Sequence, residues 1–116
     1  MGERKVLLGN EAIARGLVEA GCDVLTAYPG TPSSEILPAA AAFADELGTK
    51  TVIEWGANEK VALEIALGAT FAGKRGCAVM KQVGLNVAMD PFMSAAHFQL
   101  EGGMVVVVSD DPGCHA

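Results

Sequence analysis

The 116-residue sequence has no long apolar run and no excess of basic residues. Its longest apolar stretches, residues 36–44 and 104–108, are much shorter than the roughly 20 residues that cross a bilayer. The charged start is followed by only three apolar residues, so no signal peptide is expected. Fourteen acidic against eight basic side chains give a net charge of -6, which disfavours binding to nucleic-acid phosphates. We therefore expect a cytoplasmic protein without membrane or nucleic-acid partners.

Cysteine is scarce, and the common catalytic motifs are missing. Cys22, Cys77 and Cys114 form no CxxC pair, so neither a disulfide framework nor a metal site is predicted. We expect them to be buried, inert thiols. The sequence has no GxGxxG, Walker, HExxH or Ser-His-Asp pattern. His97 lies among apolar residues and is expected to be a packed or surface histidine. His115 lies in a predicted loop and is the better functional candidate of the two.

What the sequence does contain is a regular alternation of helical and strand patterns. Apolar residues make up 51% of it and charged residues 19%, which excludes a disordered chain. Candidate helix caps are Asn10, Thr31 (followed by Pro32) and Asn58. The predicted helices are residues 10–20, 31–47, 58–72 and 86–100, and the predicted strands are 24–28, 51–55, 77–81 and 104–109.

This alternation predicts an α/β three-layer sandwich with a mostly parallel sheet. The last strand, 104–109, is entirely apolar up to Ser109 and is expected to be buried on both faces. No helical pattern follows it. We therefore interpret residues 1–116 as one domain that is truncated at its C-terminal end.

Ligands of parallel sheets bind beyond the carboxyl ends of the strands. Three predicted loops lie there: residues 28–31, 55–59 and 81–86. The first could bind an anion or polarise a carbonyl, or simply begin a well-capped helix. In the second, Glu59 could hold or pass a proton, or be an ordinary solvated first-turn glutamate. In the third, Lys81 could contact a substrate carboxylate or merely reach solvent.

Five segments, in order and spanning nearly the whole chain, together resemble one known family. They are residues 7–16, 28–35, 54–62, 80–88 and 110–113. The family is the alpha subunit of indolepyruvate:ferredoxin oxidoreductase, within the thiamine-diphosphate-dependent 2-oxoacid:ferredoxin oxidoreductases. The resemblance implies the thiamine-diphosphate-binding fold and identifies this chain with the domain that holds the cofactor's pyrimidine ring.

The resemblance also implies roles for the candidate residues. Glu59 matches the glutamate that contacts N1′ of the aminopyrimidine and drives its imino form, which then deprotonates the thiazolium C2. Gly30, Thr31, Gly84 and Asn86 match positions that line the cofactor. Thr31 also lies near the substrate carbonyl. With Lys81 as a second substrate contact, these residues make up the implied site.

The implied reaction is oxidative decarboxylation of an arylpyruvate to an acyl-CoA, with electrons passing through iron–sulfur clusters to ferredoxin. The Gly-Asp-Gly motif that holds diphosphate and magnesium is absent, as is a cysteine ladder for 4Fe–4S clusters. The resemblance therefore places the magnesium and the clusters elsewhere in the enzyme. It implies a diphosphate-binding domain or chain, a beta subunit and ferredoxin as partners. We expect a dimer, and an isolated chain that is inactive.

Two alternatives stay open from the sequence. One is the pyrimidine-binding chain of a two-chain thiamine-dependent decarboxylase, which would use the same glutamate without clusters. The other is a non-catalytic α/β module for dimerisation or anion binding. Replacing Glu59 by glutamine separates the enzymes from this module, because only the enzymes would lose turnover.

Overall fold

The structure, a computed structural model, describes residues 2–112. These residues form four strands and five helices. The strands are β1 (Val24–Ala27), β2 (Val52–Trp55), β3 (Gly76–Lys81) and β4 (Met104–Ser109). The helices are α1 (Gly9–Glu19), α2 (Ile36–Leu47), α3 (Glu59–Phe71), α4 (Gly84–Val87) and α5 (Met89–Ala95).

All four strands run parallel, in the order β2-β1-β3-β4. Alternate residues of each strand face opposite sides, as the pleat of a strand requires. On one side, Leu25 and Val79 pack with residues of α1 and α2. On the other side, Ala78 and Met80 pack with residues of α3 and α4. Helices therefore cover both faces, which confirms the three-layer α/β sandwich.

The helix cap predicted at Asn58 is confirmed at the start of α3. Asn58 has extended backbone, and its side chain accepts a hydrogen bond from the backbone N–H of Val61. This bond satisfies one of the amide groups that a helix start leaves without an intrahelical acceptor. The cap fixes where α3 begins, and hence places Glu59 in its first position.

The prediction that Thr31 caps a helix is wrong. Helix α2 begins at Ile36, and residues 31–35 form a turn. The turn closes on Gly30: the Ser33 hydroxyl donates to the carbonyl of Gly30 at 2.8 Å, and the amide of Gly30 donates to Ser34 Oγ at 2.9 Å. These serine contacts compete with the helix for the backbone groups, so the helix starts later.

Asn10 does not cap α1 as predicted. The helix starts one residue earlier, with Leu8 as its N-cap, and Glu11 Oε1 accepts from the Leu8 amide at 2.8 Å. The Asn10 side chain instead donates to the turn that follows β1.

The single helix predicted over residues 86–100 is also wrong. The segment forms two short helices, α4 and α5, that meet at Ala88. The second ends at Ala95 because the chain turns through residues 96–103 toward β4. Pro91 is the third residue of α5, where a helix does not need its missing amide hydrogen.

Strand β4 lies at the edge of the sheet, so its predicted burial on both faces is wrong. The side chain of Val105 is 52% exposed, and the remaining β4 residues are only half-buried. Within the described residues, the strand pairs on one side only, with β3.

The cysteine prediction is confirmed for the two cysteines that the structure describes. Cys22 and Cys77 are buried, free thiols. Burial raises the pKa of Cys22, and raises that of Cys77 to about 12, so neither forms a thiolate readily near neutral pH.

Cys114 and His115 lie outside the described residues, and His97 is exposed. No helix among residues 2–112 is long and apolar enough to span a membrane.

Gly76 opens β3 directly against helix α3, and its replacement by alanine is expected to destabilise the fold. An added Cβ would lie 2.3 Å from the carbonyl oxygen of Ala66, so strand and helix must separate. We expect a loss of about 1–3 kcal/mol in the free energy of unfolding, measured by urea denaturation. Gly16→Ala on α1 is the control, because nothing lies within 4 Å of the added Cβ there. It is expected to stabilise by about 0.5–1 kcal/mol. An unchanged stability of Gly76→Ala would contradict this close packing.

Candidate functional site

The candidate site lies at the carboxyl end of the parallel sheet. Strand β1 ends at Ala27, β2 at Trp55 and β3 at Lys81, all at the same end. Every predicted site residue lies at one of these strand ends or in the segment that follows it. The parallel topology therefore brings to one end of the sheet residues that are up to 56 positions apart in the sequence, from Gly30 to Asn86 (86 − 30).

The start of α3 is held against the sheet by a hydrogen bond from strand β1 and by close packing at Gly56. The buried hydroxyl of Thr26 on β1 donates to the carbonyl of Ala62 at 2.6 Å. Gly56 donates its amide to the carbonyl of Ala27 at 2.8 Å, and a Cβ added to Gly56 would lie 2.9 Å from the amide nitrogen of Ala62. With Asn58 capping the helix, these contacts leave the first turn of α3 little freedom to move.

Glu59, the first residue of α3, is buried at the end of the sheet. It is 9% exposed and sits in the positive end of the helix dipole, which stabilises a carboxylate there. Within residues 2–112 its carboxylate has no hydrogen-bond or ion-pair partner. The carboxylate is therefore able to accept a hydrogen bond at the end of the sheet.

Gly84 forms the wall next to Glu59. A Cβ added to Gly84 would lie 2.7 Å from Cγ and 2.9 Å from Oε2 of Glu59. Gly84 is buried at the start of α4, one of the residues predicted to lie in a loop. Glycine leaves room for the glutamate in this position, so two of the predicted site residues, Glu59 and Gly84, lie together.

A second pair joins the turn after β1 to the end of β3. A Cβ added to Gly30 would lie 3.0 Å from both Cγ and Cδ of Lys81. The lysine stem therefore packs closely along the backbone of the turn, and a side chain at position 30 would push it aside. Thr31, the next residue, is exposed on the rim of the turn.

Asn86 is a predicted site residue that the structure does not bring into contact with the others. It lies on α4, two residues after Gly84, and its side chain is exposed. Within the described residues, its side chain makes no hydrogen bond. The structure thus brings Glu59 next to Gly84, and Gly30 next to Lys81, with Thr31 adjacent to the second pair.

Three polar or structural residues of the site were not predicted from the sequence. Gln82 carries a buried side-chain oxygen, Oε1, without a hydrogen-bond partner in the described part of the chain. Gly56 and Asn10 position the start of α3 and the turn at 31–35. A glycine between a strand end and a helix cap signals a tight connection, so Gly56 could have been found. Neither Asn10 nor Gln82 has such a local signal.

The site can accept a hydrogen bond through the Glu59 carboxylate. No group of three or more His, Cys, Asp or Glu side chains in residues 2–112 could hold a metal ion. An apolar cleft of about 270 Å³ near Cys22 and Cys77 lies at the opposite end of the sheet, away from this chemistry.

Comparisons with known proteins found a matching family model and several similar proteins. A family model described as "Pyruvate flavodoxin/ferredoxin oxidoreductase, thiamine diP-bdg" matches residues 15–108. "Indolepyruvate oxidoreductase subunit IorA" of Archaeoglobus fulgidus is 55% identical over 99% of this chain and 19% of its own length. The subunit of that name from Pyrococcus abyssi is 55% identical over 96% of this chain and 17% of its own length.

Two further similarities are more distant. "Ketoisovalerate oxidoreductase subunit VorB" of Methanothermobacter thermautotrophicus is 31% identical over 94% of this chain and 30% of its length. A solved 2-oxoglutarate:ferredoxin oxidoreductase from Magnetococcus marinus superimposes with a TM-score of 0.75 and 28% identity, over 90% of this chain and 18% of that one. The chain spans about a fifth of the indolepyruvate relatives, at 17–19% of their lengths.

Proposed function

The chain belongs to the pyruvate flavodoxin/ferredoxin oxidoreductase family, in its thiamine-diphosphate-binding domain, and from this premise we propose that it holds the pyrimidine ring of thiamine diphosphate in an arylpyruvate:ferredoxin oxidoreductase. The observation that carries the proposal is Glu59, buried at the start of α3 against Gly84. The indolepyruvate relatives support the arylpyruvate class of substrate.

Glu59 is proposed as the catalytic residue of this chain. Thiamine diphosphate, when bound, supplies an electron sink that allows a 2-oxoacid to lose carbon dioxide. The carboxylate of Glu59 would hold a proton at N1′ of the pyrimidine. The helix dipole keeps the carboxylate poised, and its burial keeps water from competing for that hydrogen bond.

The residues present would hold the ring through the Glu59 carboxylate. Gly84 carries no side chain and so leaves room for this carboxylate at the end of the sheet. Gln82 Oε1 is buried and lacks a hydrogen-bond partner within the described residues, so a donor from the cofactor or a partner would satisfy it. We propose Gly30, Gly84 and Asn86 as residues that line the cofactor.

Thr31 and Lys81 are proposed as substrate contacts. The Thr31 hydroxyl, on the exposed rim of the turn, would donate to the 2-oxo oxygen of the substrate. Lys81 ends β3 beside this turn, and its ammonium group would attract the substrate carboxylate. Together they would orient the bond that breaks relative to the ring held by Glu59.

The rest of the site is proposed to come from partners. A diphosphate-binding domain or chain would hold the diphosphate and magnesium. Further parts of the enzyme would carry the 4Fe–4S clusters and bind coenzyme A and ferredoxin. Exposed apolar side chains at α4 and α5, those of Val83, Val87, Phe92 and Met93, support a partner docking on these helices. A dimer and a cytoplasmic location also belong to the proposal.

The chain alone is expected to bind thiamine diphosphate weakly and to show no turnover. It offers the pyrimidine contacts but no diphosphate or magnesium ligands within its described residues. We expect the dissociation constant to be at least about 100-fold weaker than for the assembly, a loss of about 2.7 kcal/mol. Calorimetry on the chain measures the first value. Adding the diphosphate-binding partner is expected to restore binding, and arylpyruvate-dependent ferredoxin reduction is expected only in the full assembly that carries the clusters. Submicromolar binding by the chain alone would contradict a shared site.

A further inference from the structure

Asn10, near the start of α1, is tied to the turn that carries Thr31. Its Nδ2 donates to the carbonyl oxygen of Pro32 at 2.7 Å and to Glu35 Oε2 at 3.0 Å. The partners lie 22 and 25 residues away in the sequence. These two bonds use both hydrogens of the amide nitrogen.

Both partners of Asn10 are acceptors, so the side chain must act as a donor. The backbone carbonyl of Pro32 can only accept a hydrogen bond, and Glu35 accepts through a carboxylate oxygen. Turning the amide by half a rotation would place an oxygen against two oxygens. Aspartate has the same shape as asparagine but offers no donor when ionised, so it cannot make these bonds.

The two bonds hold the turn at the positions that flank its centre. Pro32 follows Thr31 directly, and Glu35 is the N-cap residue of α2. Ser33 and Ser34 close the turn from inside, through Gly30. Asn10 holds the turn from α1, through its two hydrogen bonds. A cleft of about 470 Å³ lies between α1 and the turn.

We propose that Asn10 is a positioning residue for the reaction: it fixes the Thr31 turn, and so the Thr31 hydroxyl, relative to Glu59. This inference rests on the proposed function, in which Thr31 contacts the substrate carbonyl. Asn10 itself need not touch cofactor or substrate. Its two bonds remove the freedom of the turn to move away from the ring.

The test is the variant Asn10→Asp in the assembled enzyme. Its kinetics and the hydrogen-exchange rates of the backbone amides in the turn are measured on the same assembly. Loss of the two donors is expected to speed hydrogen exchange of the Ser33 and Ile36 amides about tenfold. We expect kcat/KM for the arylpyruvate to fall about tenfold, because a misplaced contact no longer serves the transition state. Glu19→Ala on the same helix, which removes an exposed ion pair with Arg15, is the control and should change neither value.

A double-variant cycle separates positioning from general damage. If Asn10 acts through Thr31, Asn10→Asp lowers kcat/KM less than twofold in a Thr31→Ala background. Losses that multiply, or a turn whose amides exchange as in the unchanged chain, would overturn the proposal. So would a Thr31→Ala variant of full activity beside an Asn10→Asp variant that has lost activity.

A second substitution that restores one of the two hydrogen bonds keeps the test informative if Asn10→Asp is unstable. Asn10→Asp combined with Glu35→Gln exchanges donor and acceptor, since the amide introduced at position 35 can donate to the new carboxylate. The pair is expected to recover part of the lost kcat/KM and slow exchange again. A pair no better than Asn10→Asp alone would overturn the role of the Glu35 bond. Full activity of Glu59→Gln would instead overturn the proposed function, while the exchange results would still decide whether Asn10 fixes the turn.

Discussion

Glu59→Gln in the assembled enzyme is expected to lower kcat by a factor of about 10² to 10⁴, the range that a positioned acid–base group contributes. Glutamine has nearly the same shape as glutamate, so the packing against Gly84 is kept. It cannot hold a proton as a carboxylate does. Steady-state ferredoxin reduction with an arylpyruvate measures the loss, and thermal unfolding shows that the variant is folded.

Glu64→Gln is the matched control for this experiment. Glu64 lies on the same helix but is exposed. We expect its change to leave kcat within a factor of about two, since surface substitutions have small effects. Full turnover by Glu59→Gln would contradict the proposed role of Glu59. Equal losses in the two variants would mean that charge on α3, and not the position of Glu59, matters.

Gly84→Ala is expected to reduce turnover without unfolding the chain. The added Cβ would stand 2.7 Å from Cγ of Glu59, so the glutamate must move aside or α4 must shift. Displacement of the carboxylate by about 1 Å is expected to cost about 10² in kcat. Rates of ferredoxin reduction and the thermal midpoint are measured on the same samples.

Gly68→Ala provides the control for the glycine substitution. Gly68 lies on α3, and nothing stands within 4 Å of the Cβ that alanine would add. That variant should keep full activity and gain about 0.5–1 kcal/mol in stability, because alanine is the better helix former. If Gly84→Ala were as active as Gly68→Ala, the wall beside Glu59 would not be needed.

The order and type of the main elements were predictable because their signals are local. The Asn58 cap, the apolar runs of β1 and β3 and the stop of α2 at Gly48, which adopts a left-handed conformation, all lie within a few residues of the feature they specify. The parallel topology then places the strand ends together without further information. Glu59 could be singled out because it follows both a strand and a cap.

Contacts between distant segments were not predictable from the sequence. Asn10 and Thr31 both have the residue type of a helix cap, yet Asn10 binds a turn 22 residues away and residues 31–35 fold back on Gly30. Both outcomes depend on partners that no local pattern identifies. The exposure of β4 has the same cause, since burial of an edge strand depends on what packs beside it.

The site shows the same division between local and distant signals. Glu59 and Lys81 were identified at strand ends, but their neighbours were not. That Gly84 faces Glu59, and Gly30 faces Lys81, follows only from three-dimensional packing. The orphan oxygen of Gln82 is visible only once its surroundings are known.

The most direct test of the central claim is the structure of the assembled enzyme with thiamine diphosphate bound. The distance that decides is the one from the nearer carboxylate oxygen of Glu59 to N1′ of the pyrimidine. We predict about 2.5–2.9 Å, the range of a charge-assisted hydrogen bond. A distance beyond about 4 Å, or a different carboxylate on N1′, would contradict the role of Glu59.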